Sequence, residues 1–334
     1  MVLPTKSWQF PQTHYKEALN SEWYRTLVKL QTTFVNTTIE FYKKKGFDFA
    51  LLPVTTGAIS SPMGLGSDSS PVKINIDGID IYLADSMQFM LEYACRLANN
   101  GTYYLAPSFR GEKADERHLC QFYHSEAEIF GGLDDVIKFV EDYLKFLVEK
   151  FVRQERDRIL SIAGTTDHIE SFLKLKSIKK VTFDEAAKLL ENSNYIQNHG
   201  KYRTITSEGE KELMKMFGGF VWITHFDHLS VPFYQKFADE DMRTALNADL
   251  LMGIGETVGS GERHLNRLQT ERALDYHEVS RDSYKWYLDM KEIHEVQTSG
   301  FGLGVERFFL WLLKQNDIRD MQLVPRFNGR KEVL

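Results

Sequence analysis

The sequence contains few cysteines and no long hydrophobic run. Only two cysteines, Cys95 and Cys120, occur in 334 residues, which excludes a disulfide-stapled scaffold, and their spacing is not that of metal ligands. We expect both to be small buried hydrophobic side chains in a reducing compartment. No stretch of 18 apolar residues occurs, and the N-terminus lacks the pattern of a secretion signal. These absences predict a cytoplasmic protein without a membrane partner.

Positive charge is not in excess either. The net charge is −6 and the pI is near 6.0, which argues against a protein that holds RNA by its phosphates. Apolar residues make up 43% of the chain and charged residues 26%, as in ordinary globular proteins with a substantial core. We expect residues 1–334 to form a single large catalytic domain.

Hydrophobic spacing and turn residues predict the order of elements. Trp23, Leu27, Leu30, Phe34 and Ile39 follow helical spacing over residues 21–45, and Gly46 ends that helix. The other predicted elements are a strand over 47–53, a loop over 55–71, a hairpin over 72–83, a helix capped by Ser86, a helix over 133–152, an inserted helical region over about 153–214 and a buried helix over 308–313.

One segment carries most of the recognisable chemistry. Residues 109–128 read FRGEKADERHLCQFYHSEAE, which predicts two strands joined by a charged loop. Alternation places Arg110 and Glu112 on one face of the first strand, and Phe122, Glu126 and Glu128 on one face of the second. The pattern indicates a cleft that holds cations, carboxylates and an aromatic ring together.

Three segments carry a family resemblance. Residues 109–128 resemble motif 2 of the class II aminoacyl-tRNA synthetases, and residues 300–307 (GFGLGVER) resemble motif 3. Residues 249–263 (DLLMGIGETVGSGER) are similar to the metal and substrate strands of the asparaginyl and aspartyl branch. The resemblance implies an α+β fold in which an antiparallel sheet is flanked by helices. It also implies that residues 15–53 form motif 1, the interface of a homodimer.

The resemblance assigns an ATP site. By this likeness Arg110 contacts the α-phosphate, Glu112 lies near the adenine amino group and ribose, and Phe122 stacks on adenine. The likeness also places Arg117 and His118 at the terminal phosphates, and Arg307 at the second face of adenine and the γ-phosphate. Gly302 and Gly304 would allow the backbone to approach the nucleotide closely. Arg110 and Arg307 are the implied catalytic residues.

The resemblance also assigns metal and amino-acid contacts. Asp249 and Glu256 are the implied Mg²⁺ ligands, brought to one side by a bend at residues 253–255. The Ser-x-Gln of Ser86 and Gln88, together with Glu126 and Arg263, matches the amino-acid pocket. The expected cofactors are therefore ATP and Mg²⁺, and the expected partners are small substrates.

The acidic residue at position 126 bears on the substrate. In this branch Glu stands here in asparaginyl enzymes, and Glu126 with Arg263 fits the carboxamide of asparagine. The same pair fits the α-ammonium and α-carboxylate of aspartate, which would turn the β-carboxylate toward ATP. The residues alone leave both orientations open.

Several activities follow from these orientations. No anticodon-binding barrel is evident before the first helix, so the profile resembles truncated paralogues that make asparagine from aspartate, ATP and ammonia. We expect that reaction, with AMP as product and without tRNA. The alternatives are transfer to another non-tRNA acceptor, tRNA charging, and a non-catalytic regulatory role.

Two departures from the family pattern, at Gln121 and at Gly259-Ser260-Gly261, indicate an altered substrate. Two histidines, His225 and His228, are interpreted as packed side chains rather than zinc ligands.

Overall fold

A computed structural model describes residues 1–60, 70–190 and 193–331 of the chain. Its centre is an eight-stranded sheet in which the two edge strands pair in parallel and all the inner pairs are antiparallel. In spatial order the strands are β1 (Asp48–Phe49), β5 (Gly101–Phe109), β6 (Gln121–Phe130), β13 (Thr298–Gly304), β12 (Gly255–Glu262), β11 (Asn247–Met252), β10 (Phe220–Thr224) and β7 (Lys180–Thr182). The predicted antiparallel α+β architecture is confirmed.

Two small sheets and ten helices complete the described part of the chain. The small sheets are β2 (Thr55–Thr56), β4 (Ile79–Leu83) and β3 (Val72–Ile76), and the pair β8 (Ile196–Asn198) and β9 (Arg203–Ile205). The helices are α1 (His14–Asn20), α2 (Glu22–Lys45), α3 (Gln88–Cys95), α4 (Leu133–Ala163), α5 (Asp167–Lys174), α6 (Phe183–Leu189), α7 (Ser207–Met216), α8 (Arg267–Tyr276), α9 (Lys285–Ile293) and α10 (Val305–Leu313). None of these described helices has the length and apolar character needed to span a membrane.

The main core lies between one face of the large sheet and the helices α2, α4 and α10. Phe34 of α2 lies 5.7 Å, between ring centroids, from both Phe308 and Phe309 of α10, and Phe151 of α4 packs on Phe308 at the same distance. Ala127 and Ile129 of β6 face this core. Because strand side chains alternate, the intervening residues of β6 point to the opposite face.

The first predicted helix is confirmed. The Ser21 hydroxyl accepts a hydrogen bond from the Trp23 N–H at 3.2 Å, and Gly46 ends the helix with φ of 71°, a left-handed conformation that glycine adopts without strain. Ile39 is an exception to the predicted buried stripe, since it is 46% exposed. The strand predicted over 47–53 is shorter and comprises only β1.

The predicted hairpin over 72–83 is confirmed as β3 and β4. Asp77 and Gly78 join them with positive φ values of 53° and 85°, as a two-residue hairpin turn requires. The predicted loop over 55–71 includes the short strand β2, and its residues 61–69 lie outside the described residues. Ser86 is not the N-cap of α3, because Met87 occupies that position.

The predicted helical insertion over about 153–214 is wrong in two respects. Residues 153–163 continue α4, which buries Ile159 and Ile162 and ends at Gly164 with φ of 74°. The part beyond also contains strands: β7 extends the large sheet, and β8 pairs with β9. Cys95 is buried as predicted, whereas Cys120 is only partly buried and its thiol lies 3.1 Å from the Arg326 carbonyl oxygen.

Candidate active site

A cleft with a volume of about 720 Å³ lies on the sheet face opposite the main core. Side chains from β6, β12, β13, the loop after β5 and the helices α3, α7 and α10 line it. Every site residue predicted from the sequence lines this cleft: Ser86, Gln88, Arg110, Glu112, Arg117, His118, Phe122, Glu126, Asp249, Glu256, Arg263, Gly302, Gly304 and Arg307. The structure therefore brings together residues that are far apart in the chain.

Arg110 and Phe122 lie side by side at one end of the cleft. The guanidinium carbon of Arg110 is 5.5 Å from the centroid of the Phe122 ring, within the range of a cation–π contact. Its Nε atom is buried without a hydrogen-bond partner among the described residues. A buried, unpartnered guanidinium N–H is costly unless a ligand accepts from it, so this end of the cleft is suited to an anionic group.

Glu112 differs from the prediction in its position. The strand β5 ends at Phe109, so Glu112 does not share a strand face with Arg110 but lies in the following loop. One Glu112 carboxyl oxygen accepts from the Ser70 N–H at 2.5 Å, and the other is buried with no partner in the described chain. That free oxygen faces a cleft wide enough to admit a hydrogen-bond donor.

Arg117 and His118 differ in burial. Arg117 forms a 2.6 Å ion pair with Glu210 of α7, and its Nε and Nη1 atoms are buried without partners in the described regions. His118 is about half exposed and lies 3.0 Å from the Asp115 carboxyl group. The structure thus presents Arg117 as a cation with free donors and His118 as a residue of the cleft rim.

Arg307 lies in the first turn of α10, directly after the strand β13 ends at Gly304. Its Nη1 atom donates to the backbone oxygen of Glu256 and lies 3.9 Å from that residue's carboxylate. Burial lowers the pKa of the Arg307 guanidinium from its usual value. With 21% of its side chain exposed, this cation is partly desolvated, which strengthens its interaction with an anionic ligand.

Two carboxyl groups converge above Gly259 in β12. A Cβ atom at Gly259 would lie 2.8 Å from Glu256 Oε1 and 3.7 Å from Asp249 Oδ1, so the absence of a side chain there makes room for both. Burial, and then the neighbouring groups Glu256 and Glu210, raise the pKa of Asp249 well above its usual value. A divalent cation would relieve this crowding of like charges.

The donor set fits a Mg²⁺ ion that is only partly held by protein. In the described residues no group of three or more His, Cys, Asp or Glu side chains is arranged to hold a metal alone. Mg²⁺ in nucleotide sites takes one or two carboxylates and completes its shell with phosphate oxygens and water. Asp249 and Glu256 match that incomplete set.

Arg263 and Glu128 form a buried ion pair at the other end of the cleft. Their side chains are 2% and 0% exposed, and Glu128 accepts from Nε at 3.1 Å and from Nη2 at 3.0 Å. Gln235 accepts from Nη1 at 3.1 Å. Of the five guanidinium N–H groups, one on each terminal nitrogen remains for a ligand. Burial alone would lower the pKa of Arg263, but the Glu128 carboxylate raises it above its usual value.

Glu126 faces the same space, accepts two hydrogen bonds and lies against an imidazole. Ser86 donates to it at 2.7 Å, Tyr104 donates to the same oxygen, and His124 Nδ1 lies 3.0 Å from the other oxygen. Burial opposes ionisation, but His124 and these hydroxyl groups hold the pKa of the Glu126 carboxyl below its usual value. Glu126 is therefore held as a carboxylate that could accept from an N–H group in the cleft.

Close backbone approach shapes this end of the cleft. Gln88 donates to Glu128 at 2.6 Å directly over Gly300, where a Cβ atom would overlap both side chains. Within the departure from the family pattern at residues 259–261, the Ser260 hydroxyl donates to the Ala248 carbonyl at 2.8 Å and stays inside the sheet. Ser260 also lines the cleft, so it both joins two strands and lies beside the amino-acid end.

Sequence patterns do not reveal several residues of this site. Gln235 and Glu210 line the cleft, and the buried Tyr104 donates to Glu126, but only their contacts in the fold reveal them. His124 carried a usable signal, because it alternates with Phe122 and Glu126 along β6. His228, in contrast, is buried and hydrogen-bonded to His277 at 2.8 Å and to the Gln235 carbonyl at 2.7 Å, as a packed histidine.

Comparisons with known proteins agree with this arrangement. Residues 11–328 match the family described as tRNA synthetases class II (D, K and N). The chain is 29% identical to the asparagine–tRNA ligase of Desulforamulus reducens over 91% of its own length and 71% of that protein. It is 26% identical to the asparagine–tRNA ligase of Koribacter versatilis, with coverage of 93% and 71%.

Solved structures give the same family. The chain is similar to asparaginyl-tRNA synthetase from Pyrococcus horikoshii complexed with asparaginyl-adenylate, with a TM-score of 0.85, 25% identity and coverage of 94% of this chain and 71% of that one. It has the fold of the Entamoeba histolytica asparaginyl-tRNA synthetase, with a TM-score of 0.85, 23% identity and coverage of 98% and 73%. The expectation that tRNA is not a partner gains no support from these relatives. With 318 consecutive residues matched, from 11 to 328, the chain belongs to the class II tRNA synthetase family of the Asp, Lys and Asn branch, a family of ligases.

Proposed function

We propose that this protein uses ATP to convert an amino acid of the aspartate type into an aminoacyl adenylate. The observation that carries the proposal is the pair of free N–H groups on Arg263 opposite the Glu126 carboxylate. They lie in the same cleft as Arg110, Phe122 and Arg307. One end of the cleft thus selects an amino acid while the other receives a nucleotide.

The amino acid needs two hydrogen-bond acceptors and one donor group at this end. Arg263 offers two donors side by side, which suits the two oxygens of a carboxylate. Glu126 accepts from an ammonium group. Aspartate bound by its α-ammonium and α-carboxylate would direct its β-carboxylate along β6 toward Phe122 and the nucleotide.

ATP binds at the end that holds the unpartnered cations. Adenine stacks on Phe122, and Arg110 and Arg307 donate to the phosphates on which negative charge develops as the carboxylate attacks. Asp249 and Glu256 hold Mg²⁺, which neutralises phosphate charge when bound. Burial of Arg307 strengthens its interaction with that charge.

We further propose ammonia as the acceptor of the activated acyl group. Two carboxyl groups, Asp85 and Glu126, line the amino-acid end of the cleft, where the only guanidinium among the described residues, that of Arg263, is already paired with the buried Glu128. An excess of carboxylates attracts a small cation such as ammonium. Amidation of the adenylate would yield asparagine and AMP.

Charging of tRNA with asparagine is the second candidate function. The names of the relatives favour it, as does the likeness to a synthetase solved with asparaginyl-adenylate. In this case Arg263 donates to the side-chain oxygen of asparagine, and Glu126 accepts from its NH₂ group. The two candidates share the ATP site and differ in which carboxyl group is activated.

ATP–pyrophosphate exchange tests the shared step. We expect exchange that depends on aspartate or asparagine and on Mg²⁺, and that is lost in Arg263→Gln. Arg267→Gln, which changes an arginine of α8 that is 36% exposed and lies outside the cleft, is the matched control. Absence of amino-acid-dependent exchange in the folded wild-type protein would contradict the proposal.

Product analysis separates the two acceptors. Incubation with ATP, aspartate and ¹⁵N-ammonium is expected to release labelled asparagine and an equal amount of AMP. Incubation with ATP, asparagine and total tRNA is the competing reaction. Asparaginyl-tRNA without labelled asparagine would replace the first candidate by the second.

We also propose a homodimer through the edge of the large sheet at β1. Phe49 in this edge strand is 47% exposed, and Leu51 just after it is 92% exposed. An unpaired edge with apolar side chains is a surface that proteins usually cover. Light scattering should give a dimer for the wild type and for Leu268→Asp, which changes an exposed leucine of α8, but a monomer for Leu51→Asp. A dimeric Leu51→Asp protein would contradict this interface.

A further inference from the structure

His124 occupies the boundary between the two ends of the cleft. In β6 it alternates with Phe122 and Glu126, so all three side chains leave the strand on the cleft face. Its ring lies 4.8 Å from the Phe122 ring, between centroids, and its Nδ1 atom is 3.0 Å from Glu126. A nucleotide on Phe122 and an amino acid on Glu126 would therefore react beside this imidazole.

The contacts of Nδ1 determine which ring nitrogen carries the proton. Nδ1 lies 2.8 Å from the Ser108 hydroxyl and 3.0 Å from the Glu126 carboxylate. A proton on Nδ1 can be donated to the Ser108 hydroxyl and is attracted by the carboxylate, whereas a lone pair there would face that negative charge, so we assign the proton to Nδ1. In the neutral ring the lone pair is then on Nε2.

Nε2 is the free atom of this side chain. It forms no hydrogen bond with any of the described residues, and His124 lines the cleft with 13% of its side chain exposed. A carboxylate that holds one imidazole nitrogen and leaves the other pointing at a reactive centre is the arrangement used by general bases. The carboxyl group of Glu306 also lines the cleft, but it does not contact the imidazole in this way, because both of its oxygens accept from the Tyr123 N–H.

We propose that His124 is the general base that deprotonates an ammonium ion at the adenylate, an inference that rests on the proposed amidation. Nε2 takes one proton from ammonium, and the freed nitrogen lone pair forms the C–N bond with the acyl carbon. The bond between that carbon and the phosphate oxygen breaks, and its electron pair leaves with AMP. The nitrogen loses a second proton to water, which gives the neutral amide.

Hydroxylamine provides the test, because it is a weaker base than ammonia and is mostly uncharged at neutral pH. The measured quantity is the rate of amide formation with ammonium divided by the rate of hydroxamate formation with hydroxylamine. In His124→Asn the amide nitrogen can replace Nδ1 as donor to Glu126, but the base is gone. We expect the ratio to fall by about a hundredfold, and to stay at the wild-type value in His294→Asn, which changes an exposed histidine outside the cleft.

Each negative result contradicts a different step of the proposal. Wild-type protein without amino-acid-dependent pyrophosphate exchange contradicts the proposed adenylation, and exchange without products from either amine contradicts the amidation. An unchanged ratio in folded His124→Asn overturns the role of His124 alone. His124→Ala supplies a second variant, in which added imidazole should restore asparagine formation; failure to restore it also overturns the proposal.

Discussion

Removal of one partner from the buried Arg263–Glu128 pair should strongly destabilise the protein. Glu128→Gln keeps the size of the side chain but leaves the guanidinium charge at 2% exposure without a counter-charge. Breaking such a pair lowers the free energy of unfolding by about 3–5 kcal/mol. This is a large part of the roughly 5–15 kcal/mol by which a typical domain is stable. Equilibrium urea unfolding followed by circular dichroism measures the loss.

Replacement of both partners of the pair separates stability from function. Glu128→Leu combined with Arg263→Met removes both charges, and such replacements are neutral or stabilise by about 1–4 kcal/mol. We therefore expect the double variant to recover stability but to lack amino-acid-dependent pyrophosphate exchange. Glu271→Gln is the control, because its ion pair with Arg267 is 36% exposed at the arginine and is worth less than about 1 kcal/mol. A Glu128→Gln variant as stable as this control would refute the reasoning.

Three further substitutions probe the cleft. Gly300→Ala puts a methyl group into the side chains of Glu128 and Gln88, so the KM for the amino acid in pyrophosphate exchange should rise; an unchanged KM contradicts the contact. Asp249→Asn should raise the Mg²⁺ concentration needed for half-maximal exchange by at least about tenfold, and an unchanged Mg²⁺ titration contradicts the metal assignment. Burial raises the pKa of Glu306 from 4.5 to about 7, so its contribution to stability is complete at acid pH and is lost as pH rises through about 7. In Glu306→Gln the free energy of unfolding, measured by urea unfolding across pH, should lack this loss of about 3 kcal/mol. Parallel pH profiles of the wild type and the variant would contradict the assignment.

Local sequence patterns predicted the parts of this fold that depend on local interactions. The ends of α2 follow from Ser21 and Gly46, and the hairpin turn follows from Asp77 and Gly78, because capping and left-handed backbone depend on a few neighbouring residues. The helix α4 was predicted too short. Its second half carries charged residues that suggested an insertion, although Ile159 keeps the buried face at helical spacing.

The site could be predicted only where its residues share a strand or a motif. Phe122 and Glu126 follow from alternation along β6. Glu210 could not be found in this way, because it meets Arg117 across 93 residues of sequence and no local pattern encodes such a contact. Gln235 reaches Arg263 by the same kind of distant packing. The fold, rather than a motif, supplies these residues.

Direct detection of the enzyme-bound intermediate tests the central claim. The protein, incubated with Mg²⁺, ATP and an equimolar mixture of amino acids but without ammonium or tRNA, would be examined by native mass spectrometry. The account predicts a bound species with the mass of aspartyl adenylate or asparaginyl adenylate, which Arg263→Gln does not form. Bound ATP alone, or the adenylate of an unrelated amino acid, would contradict it.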